Sequence, residues 1–223
     1  MKNHWALLSL LFLFAATSCS DQYSNRNLKA YSLRGNVKSA VEYRYLTEYV
    51  DGKWVTEDES EFLIKNIFSF NEKNECTEEK YILGTGETLQ TIKNEYKDGL
   101  TSRQTIYDQD QQVKMILIIN NIDNDLVEID MLNPDNTLKE KGKGTYKDGY
   151  MMSLIYPGKE YKYTYDKNGD IASFHIVEDF GSLSGEIEIL EYDDRGNWTR
   201  KVEKKQGFDP GNTIVVRTIE YYD

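Results

Sequence analysis

The sequence predicts an all-β fold: an antiparallel meander of roughly a dozen strands joined by hairpins, arranged as an extended sheet, a sandwich or a partly closed barrel. Three observations support this prediction. Alanine occurs only three times after residue 19, whereas all 17 tyrosines lie there. Apolar residues recur with a period of two, as in half-buried strands. Gly, Asn and Asp mark turns at intervals of mostly about ten to fifteen residues.

The first predicted strand follows the motif LRGN. Val41, Tyr43 and Tyr45 alternate with Glu42 and Arg44. Because successive side chains of a strand point to opposite faces, this pattern predicts that the tyrosine face is buried and the charged face is solvated.

A second clear strand lies in the segment YKYTY. It places Tyr161, Tyr163 and Tyr165 on one face, with Lys162 and Thr164 on the other. The alternation is again that of a half-buried strand.

Two similar heptapeptides mark turns late in the chain, YDKNGDI at 165–171 and YDDRGNW at 192–198. We expect the tyrosine to end a strand, the aspartate and the polar pair to form the turn, and the glycine to take a positive φ. The apolar residue then begins the next strand. Tyr96 and Tyr146 precede the related turn KDG. The spacings between the four tyrosines are not uniform, so this is a degenerate hairpin repeat rather than a strict solenoid.

These motifs resemble the YD repeats of RHS-type bacterial surface proteins. Together with LRGNVKSAVEYRY, which begins at Leu33, they also resemble lipoproteins of Bacteroidetes-type bacteria that carry degenerate YD-like repeats. The resemblance is clearest over residues 33–46 and 161–222. It implies extended β structure, and in the RHS family it implies carbohydrate binding or encapsulation of toxin domains. The chain is too short for a large RHS shell.

The N-terminus predicts a lipoprotein signal peptide at residues 1–18. An apolar run from Trp5 leads through small residues to Cys19, which resembles the lipobox whose cysteine is lipidated before cleavage. Several acyl chains together give stable anchoring. Asp21 is one residue beyond the position that retains lipoproteins in the inner membrane, so an outer-membrane location is expected, facing either the periplasm or the outside. The alternative is a secreted protein cut near Ala16.

The domain prediction follows from this start. Residues 19–32 are expected to be a lipid-anchored tether, and residues 33–223 a single all-β domain without a linker. Of the 27 basic and 38 acidic residues, only Lys2 precedes Cys19, so the predicted mature chain has a net charge of −12 (26 against 38). This acidity argues against nucleic acid as a partner and against peripheral membrane binding without the anchor.

Residue types that carry catalysis or hold metals are scarce. After cleavage the only cysteine besides Cys19 is Cys76, expected to be a buried apolar residue, and the only histidine is His175, expected to be a half-buried strand residue. A histidine–cysteine zinc site or a histidine-assisted nucleophile therefore lacks its parts. The stretch DKNGD, from Asp166, lacks the later residues of a calcium loop. We predict no catalytic residue, no metal and no cofactor.

The sequence favours a non-catalytic binding module of the cell envelope, with a glycan or an envelope protein as the partner. Its candidate ligand-binding residues are Tyr161, Tyr163, Tyr165 and Trp198, whose rings suit stacking on sugars. Ordinary core packing is the alternative role of these residues. A second hypothesis is a structural or assembly subunit of an outer-membrane protein complex. A third, less favoured, is a glycoside hydrolase that uses paired carboxylates.

Overall fold

The structure is a computed structural model that describes residues 28–56, 58, 60–123, 125–207 and 211–223. Within these residues one helical turn, at residues 28–30, precedes sixteen strands. The strands are β1 Val37–Leu46, β2 Glu48–Val50, β3 Lys53–Val55, β4 Ile64–Phe70, β5 Cys76–Leu83, β6 Thr88–Lys97, β7 Leu100–Tyr107, β8 Val113–Asn121, β9 Leu126–Leu132, β10 Leu138–Lys147, β11 Tyr150–Tyr156, β12 Lys159–Tyr165, β13 Ile171–Glu178, β14 Gly181–Tyr192, β15 Trp198–Gly207 and β16 Thr213–Tyr221. The predicted fold class is confirmed.

Fourteen of these strands form one closed antiparallel barrel, and β2 and β3 form a separate hairpin. From β4 to β16 each strand pairs with its neighbours in the chain. β1 closes the ring, because it pairs with β16 on one side and with β4 on the other. Closure leaves no unpaired sheet edge in the barrel, which removes the surface through which open sheets tend to associate.

All four turns that follow the repeated tyrosines lie at one end of the barrel. The tyrosines belong to β6, β10, β12 and β14, which are separated by even numbers of strands in a meander of alternating direction. The longest interval, from Tyr96 to Tyr146, passes over one further hairpin at this end, whereas the other two intervals each span two strands. Residues 28–33 pack on the same end, which we call the plugged end. The opposite end, where β1 ends and β16 begins, is the far end.

The heptapeptide turns have the predicted geometry. Tyr165 is the last residue of β12, and Ile171 is the first residue of β13. Asp166 Oδ1 accepts hydrogen bonds from two backbone N–H groups of the turn, at 2.8 and 3.0 Å, and Gly169 has a φ of 82°. The second motif, at 192–198, repeats this arrangement. The aspartate thus fixes each turn through its side chain.

The plugged end is covered by the residues that precede β1. Leu28, Tyr31 and Leu33 are buried and pack with Phe68 and Phe70 of β4. Residues 28–32 belong to the stretch expected to be a tether, and here they lie against the barrel. Residues 1–27, with the signal peptide and Cys19, lie outside the described residues.

Arg34 joins the opening motif to the two heptapeptide turns. Its guanidinium donates to the carbonyl oxygens of Gly196 at 2.7 Å and Asn168 at 2.5 Å, and it pairs with the carboxylate of Asp170 at 3.2 Å. The Asn197 side chain accepts from the Arg34 N–H and donates to its carbonyl oxygen. The segments on which the YD-type resemblance depends therefore meet in one place.

The prediction that the charged face of β1 is solvated was wrong, whereas the tyrosine face is largely buried as predicted, although on the outer side of the barrel. Glu42 and Arg44 point into the barrel and are buried, whereas Tyr43 and Tyr45 lie on the outer side. There they belong to a cluster that includes Trp54 of the β2–β3 hairpin, which folds over the outer wall. Two features invert the expected pattern: the hairpin shelters the outer tyrosines, and the inner charges find partners of opposite sign inside the barrel.

Candidate functional site: a cavity inside the barrel

A cavity of about 70 Å³ lies inside the barrel and has two unlike walls. One wall is charged and comes from β1 and β15. Directly beside it, on β13 and β14, the lining is apolar and aromatic, with Phe174, Leu183 and Ile187 as its main members. Ile64 and Leu89 complete it near the far end, and both are only half-buried, so the cavity is not sealed from solvent.

The charged wall follows from strand periodicity. Lys201, Glu203 and Lys205 are alternate residues of β15, so their side chains share the inner face. Arg44 of β1 reaches the same place across β16, where it donates to Thr213 Oγ1 at 3.3 Å and forms an ion pair with Glu203. Three cations and one carboxylate thus meet around the cavity.

Glu203 is the centre of this group. Besides its pair with Arg44, its carboxylate lies 3.3 Å from Lys201 Nζ. Burial alone would raise the pKa of Glu203, but Arg44, Lys201 and Lys205 outweigh it and hold that pKa well below its usual value. Burial lowers the pKa of Lys201, and the negative charge of Glu203 opposes that effect. The carboxylate therefore stays ionised.

The depressed pKa of Glu203 predicts a pH-dependent contribution to stability. Stabilisation by a group with a lowered folded-state pKa is present above its unfolded pKa, here near 4.5, and is lost as the pH falls toward the folded value. We expect urea unfolding to show a deficit for Glu203→Gln relative to wild type that is large at about pH 7 and shrinks below about pH 4. A deficit that does not change with pH would contradict this origin. Burial raises the pKa of Glu79, which has the opposite sign, so only the difference between the two proteins is diagnostic.

A second buried ion pair lies beside the cavity toward the plugged end. Arg217 Nε and Nη2 donate to Glu42 Oε1 at 2.9 and 2.5 Å. The same guanidinium donates to the carbonyl oxygens of Tyr31 and Ser32 at 2.9 and 3.0 Å. It also stacks on Trp198, with Cζ 3.4 Å from the ring centroid. Residues 28–33, which cover the plugged end and form the N-terminal plug, are thus hydrogen-bonded to the charged interior.

The four candidate ligand-binding residues all lie within the barrel wall. Tyr161, Tyr163 and Trp198 are each 7% exposed or less, and Tyr165 is half-buried. Tyr161 donates to Glu178 at 2.9 Å, and Tyr165 donates to the Met151 carbonyl oxygen at 2.8 Å. The structure brings Tyr163 alone of the four to the 70 Å³ cavity, and Trp198 lines a smaller space of about 20 Å³. None lies on the outer wall.

Sequence reasoning missed the charged wall. In RKVEKK, residues 200–205, both faces of the strand carry charges, so alternation does not show which face is inside. One residue does indicate the facing of this strand: Val202, an apolar residue between Lys201 and Glu203. It is fully buried on the outer side within the hairpin-covered cluster.

The residues considered for other chemistry occupy unremarkable positions. Cys76 is completely buried, as predicted, and burial raises the pKa of its thiol. The prediction that His175 is half-buried was wrong, because its ring lies exposed on the outer wall, where Nδ1 is 2.7 Å from Ser184 Oγ. Among the described residues, no three His, Cys, Asp or Glu side chains are grouped closely enough to hold a metal ion. That part of the chain also has no helix long and apolar enough to cross a membrane.

Comparison with known proteins adds no functional argument. No family model and no curated protein matches the chain. A porin-like protein from Bacteroides uniformis has a TM-score of 0.34 at 15% identity, over 78% of this chain and 76% of that one. A LolA-superfamily protein from Nitrosomonas europaea has a TM-score of 0.34 at 6% identity, over 92% and 95% of the two chains. Structural similarities with TM-scores this low support no conclusion about fold or activity.

Proposed function

We propose that this protein is a non-catalytic lipoprotein of the cell envelope that binds a small ligand inside its barrel. The observation that carries the proposal is the cavity inside the barrel, whose lining is charged on β1 and β15 and apolar on β13 and β14. Small-ligand sites are typically concave and mostly apolar, with a few placed polar groups that fix orientation, and the interior of a barrel is a common place for them.

The anchor is part of the proposal and is supported by the sequence around Cys19. Leu28, the first described residue, lies on the plugged end. The nine residue-to-residue steps from Cys19 to Leu28 span at most about 30 Å when fully extended. An acylated Cys19 would therefore hold the plugged end within about 30 Å of the outer membrane.

The burial of the candidate aromatic residues argues against their stacking on a polysaccharide. Sugar stacking on the outer wall would need exposed rings, whereas Tyr161, Tyr163 and Trp198 are buried. A volume of about 70 Å³ is also about half of the roughly 150 Å³ cavity that holds benzene in an engineered protein. We therefore place the ligand among molecules of a few heavy atoms.

Filling the cavity tests the proposal. Ile187 lines the cavity on β14, and Leu190 is exposed on the outer side of the same strand. We expect Ile187→Phe to abolish retention of a small ligand that co-purifies with the full-length protein, and Leu190→Phe to leave it unchanged. Native mass spectrometry of both variants, with circular dichroism to confirm folding, measures this directly.

A folded Ile187→Phe protein that keeps its ligand would show that binding occurs elsewhere. A wild-type protein that carries no ligand and binds none from a small-metabolite library would instead favour the assembly-subunit hypothesis. The place to seek a protein partner would then be the β2–β3 hairpin, where Tyr49, Val50 and Val55 are exposed.

A further inference from the structure

We propose that the ligand of the barrel cavity is a small uncharged alcohol with about three carbons, sized to the cavity. Its hydroxyl would donate a hydrogen bond to the side chain of Asn66, and its carbons would contact the apolar lining. This inference rests on the proposed function and names the chemical class of its ligand. The supporting features are the paired charges of the cavity, its apolar lining and one unpartnered amide oxygen.

The charged residues of the cavity already have partners within the protein. Arg44 forms an ion pair with Glu203, and Lys201 Nζ lies 3.3 Å from the same carboxylate. Lys205 also has an interaction partner. A charged ligand would lose its hydration and compete with these pairs, which costs more free energy than burying a neutral ligand. The pairing therefore favours an uncharged molecule.

Most of the remaining lining residues are apolar or aromatic. They comprise three isoleucines, two leucines and Phe174, together with Tyr81 and Tyr163. Contact with the carbon chain of a ligand removes apolar surface from water, which favours binding in pockets of this kind. A volume of about 70 Å³, roughly half of the 150 Å³ or so that holds benzene, admits a molecule of about four non-hydrogen atoms.

Asn66 is the remaining polar residue of the lining. It lies on β4 and is 4% exposed, and its Oδ1 has no hydrogen-bond partner among the described residues. A buried acceptor without a partner costs free energy, and a donor in the cavity would supply the missing hydrogen bond. An alcohol brings a hydroxyl donor without a charge, whereas a ketone of the same size has no donor and an amine is protonated at neutral pH.

Methyl NMR of the full-length protein, dialysed free of co-purified ligand, tests the inference. The probes are 2-propanol, acetone, acetate and isopropylammonium, which have equal numbers of non-hydrogen atoms. We expect 2-propanol to shift the methyl signals of Ile171 and Ile187 in a saturable manner. It should bind roughly tenfold more tightly than acetone, which lacks the donor. Both ions should bind more weakly than 2-propanol.

A matched pair of variants tests the contact with Asn66. Asn66→Leu removes the acceptor and keeps a similar volume, so 2-propanol should lose its preference over acetone while both still bind. Asn120 is exposed on the outer wall, with its Nδ2 3.5 Å from Asp130 Oδ2, and Asn120→Leu should leave the preference unchanged. The preference is a ratio of two affinities within one protein, so a change in stability alone does not alter it. The comparison of probes in the wild-type protein is decisive even if Asn66→Leu does not fold.

The outcomes separate this inference from the proposed function. If acetone matches 2-propanol in the wild-type protein, or if either ion binds more tightly, the alcohol class is wrong while the cavity remains the site. The same conclusion holds if no probe binds but Ile187→Phe abolishes retention of a co-purified ligand. If no probe shifts the interior methyl signals and Ile187→Phe loses no ligand, both the inference and the proposed function fail.

Discussion

Replacement of Arg217 by methionine should lower the free energy of unfolding by about 3–5 kcal/mol. Arg217 is 5% exposed, and removal of its guanidinium would leave the buried Glu42 carboxylate without this counter-charge. It would also remove the donors to the Tyr31 and Ser32 carbonyl oxygens, which hold the N-terminal plug. Urea unfolding followed by tryptophan fluorescence measures the change.

Two control variants test whether the loss of stability comes from the buried Arg217–Glu42 ion pair. Arg217→Met combined with Glu42→Leu should regain part of the loss, since no unpaired charge remains, and the unrecovered part belongs to the plug contacts. Lys38→Met breaks the exposed Lys38–Glu220 pair on the outer wall and should change stability little. A loss for Arg217→Met no greater than that for Lys38→Met would contradict the buried network.

Trp198→Ala should also cost about 3–5 kcal/mol, the usual range for truncating a large buried aromatic side chain. Trp198 is 2% exposed, and its ring contacts two cations, with Arg217 Cζ 3.4 Å and Lys201 Nζ 4.3 Å from the ring centroid. Trp198→Phe keeps an aromatic surface and should lose less. The measurement is again the urea midpoint and slope.

Trp54→Ala is the comparison for this prediction. Trp54 is half-buried on the β2–β3 hairpin, with Lys204 Nζ 5.6 Å from its ring centroid on the outer wall. We expect a clearly smaller loss, because less surface is buried there. Equal losses at the two tryptophans would contradict the placement of Trp198 at the interior core.

The local elements of the barrel could be predicted from the sequence because they depend on neighbouring residues. The YKYTY strand places its tyrosines inside and Lys162 outside, as alternation requires. The turns after Tyr165 and Tyr192 were predictable because Asp and Gly fix their geometry locally. Closure was not predictable, since the pairing of β1 with both β4 and β16 joins residues far apart in the chain.

The candidate site escaped prediction for a related reason. The facing of Glu42, Arg44 and Glu203 depends on which partners lie across the barrel, and those partners come from distant strands. Period-two patterning assumes that charge faces water, and a closed barrel that pairs its charges internally breaks this assumption. Ring-stacking residues were sought by type, and Tyr163 alone of the four candidates lines the cavity.

The central claim is that the ligand lies inside the barrel, and methyl NMR of the full-length protein tests it most directly. The protein would be labelled at isoleucine and leucine methyl groups, and its spectra would be compared before and after removal of the small ligand that co-purifies with it. We predict shifts for Ile171, Leu183 and Ile187, which line the cavity, and none for Ile155 or Leu190, which are exposed on the outer wall. Shifts confined to the outer methyl groups would contradict an interior site.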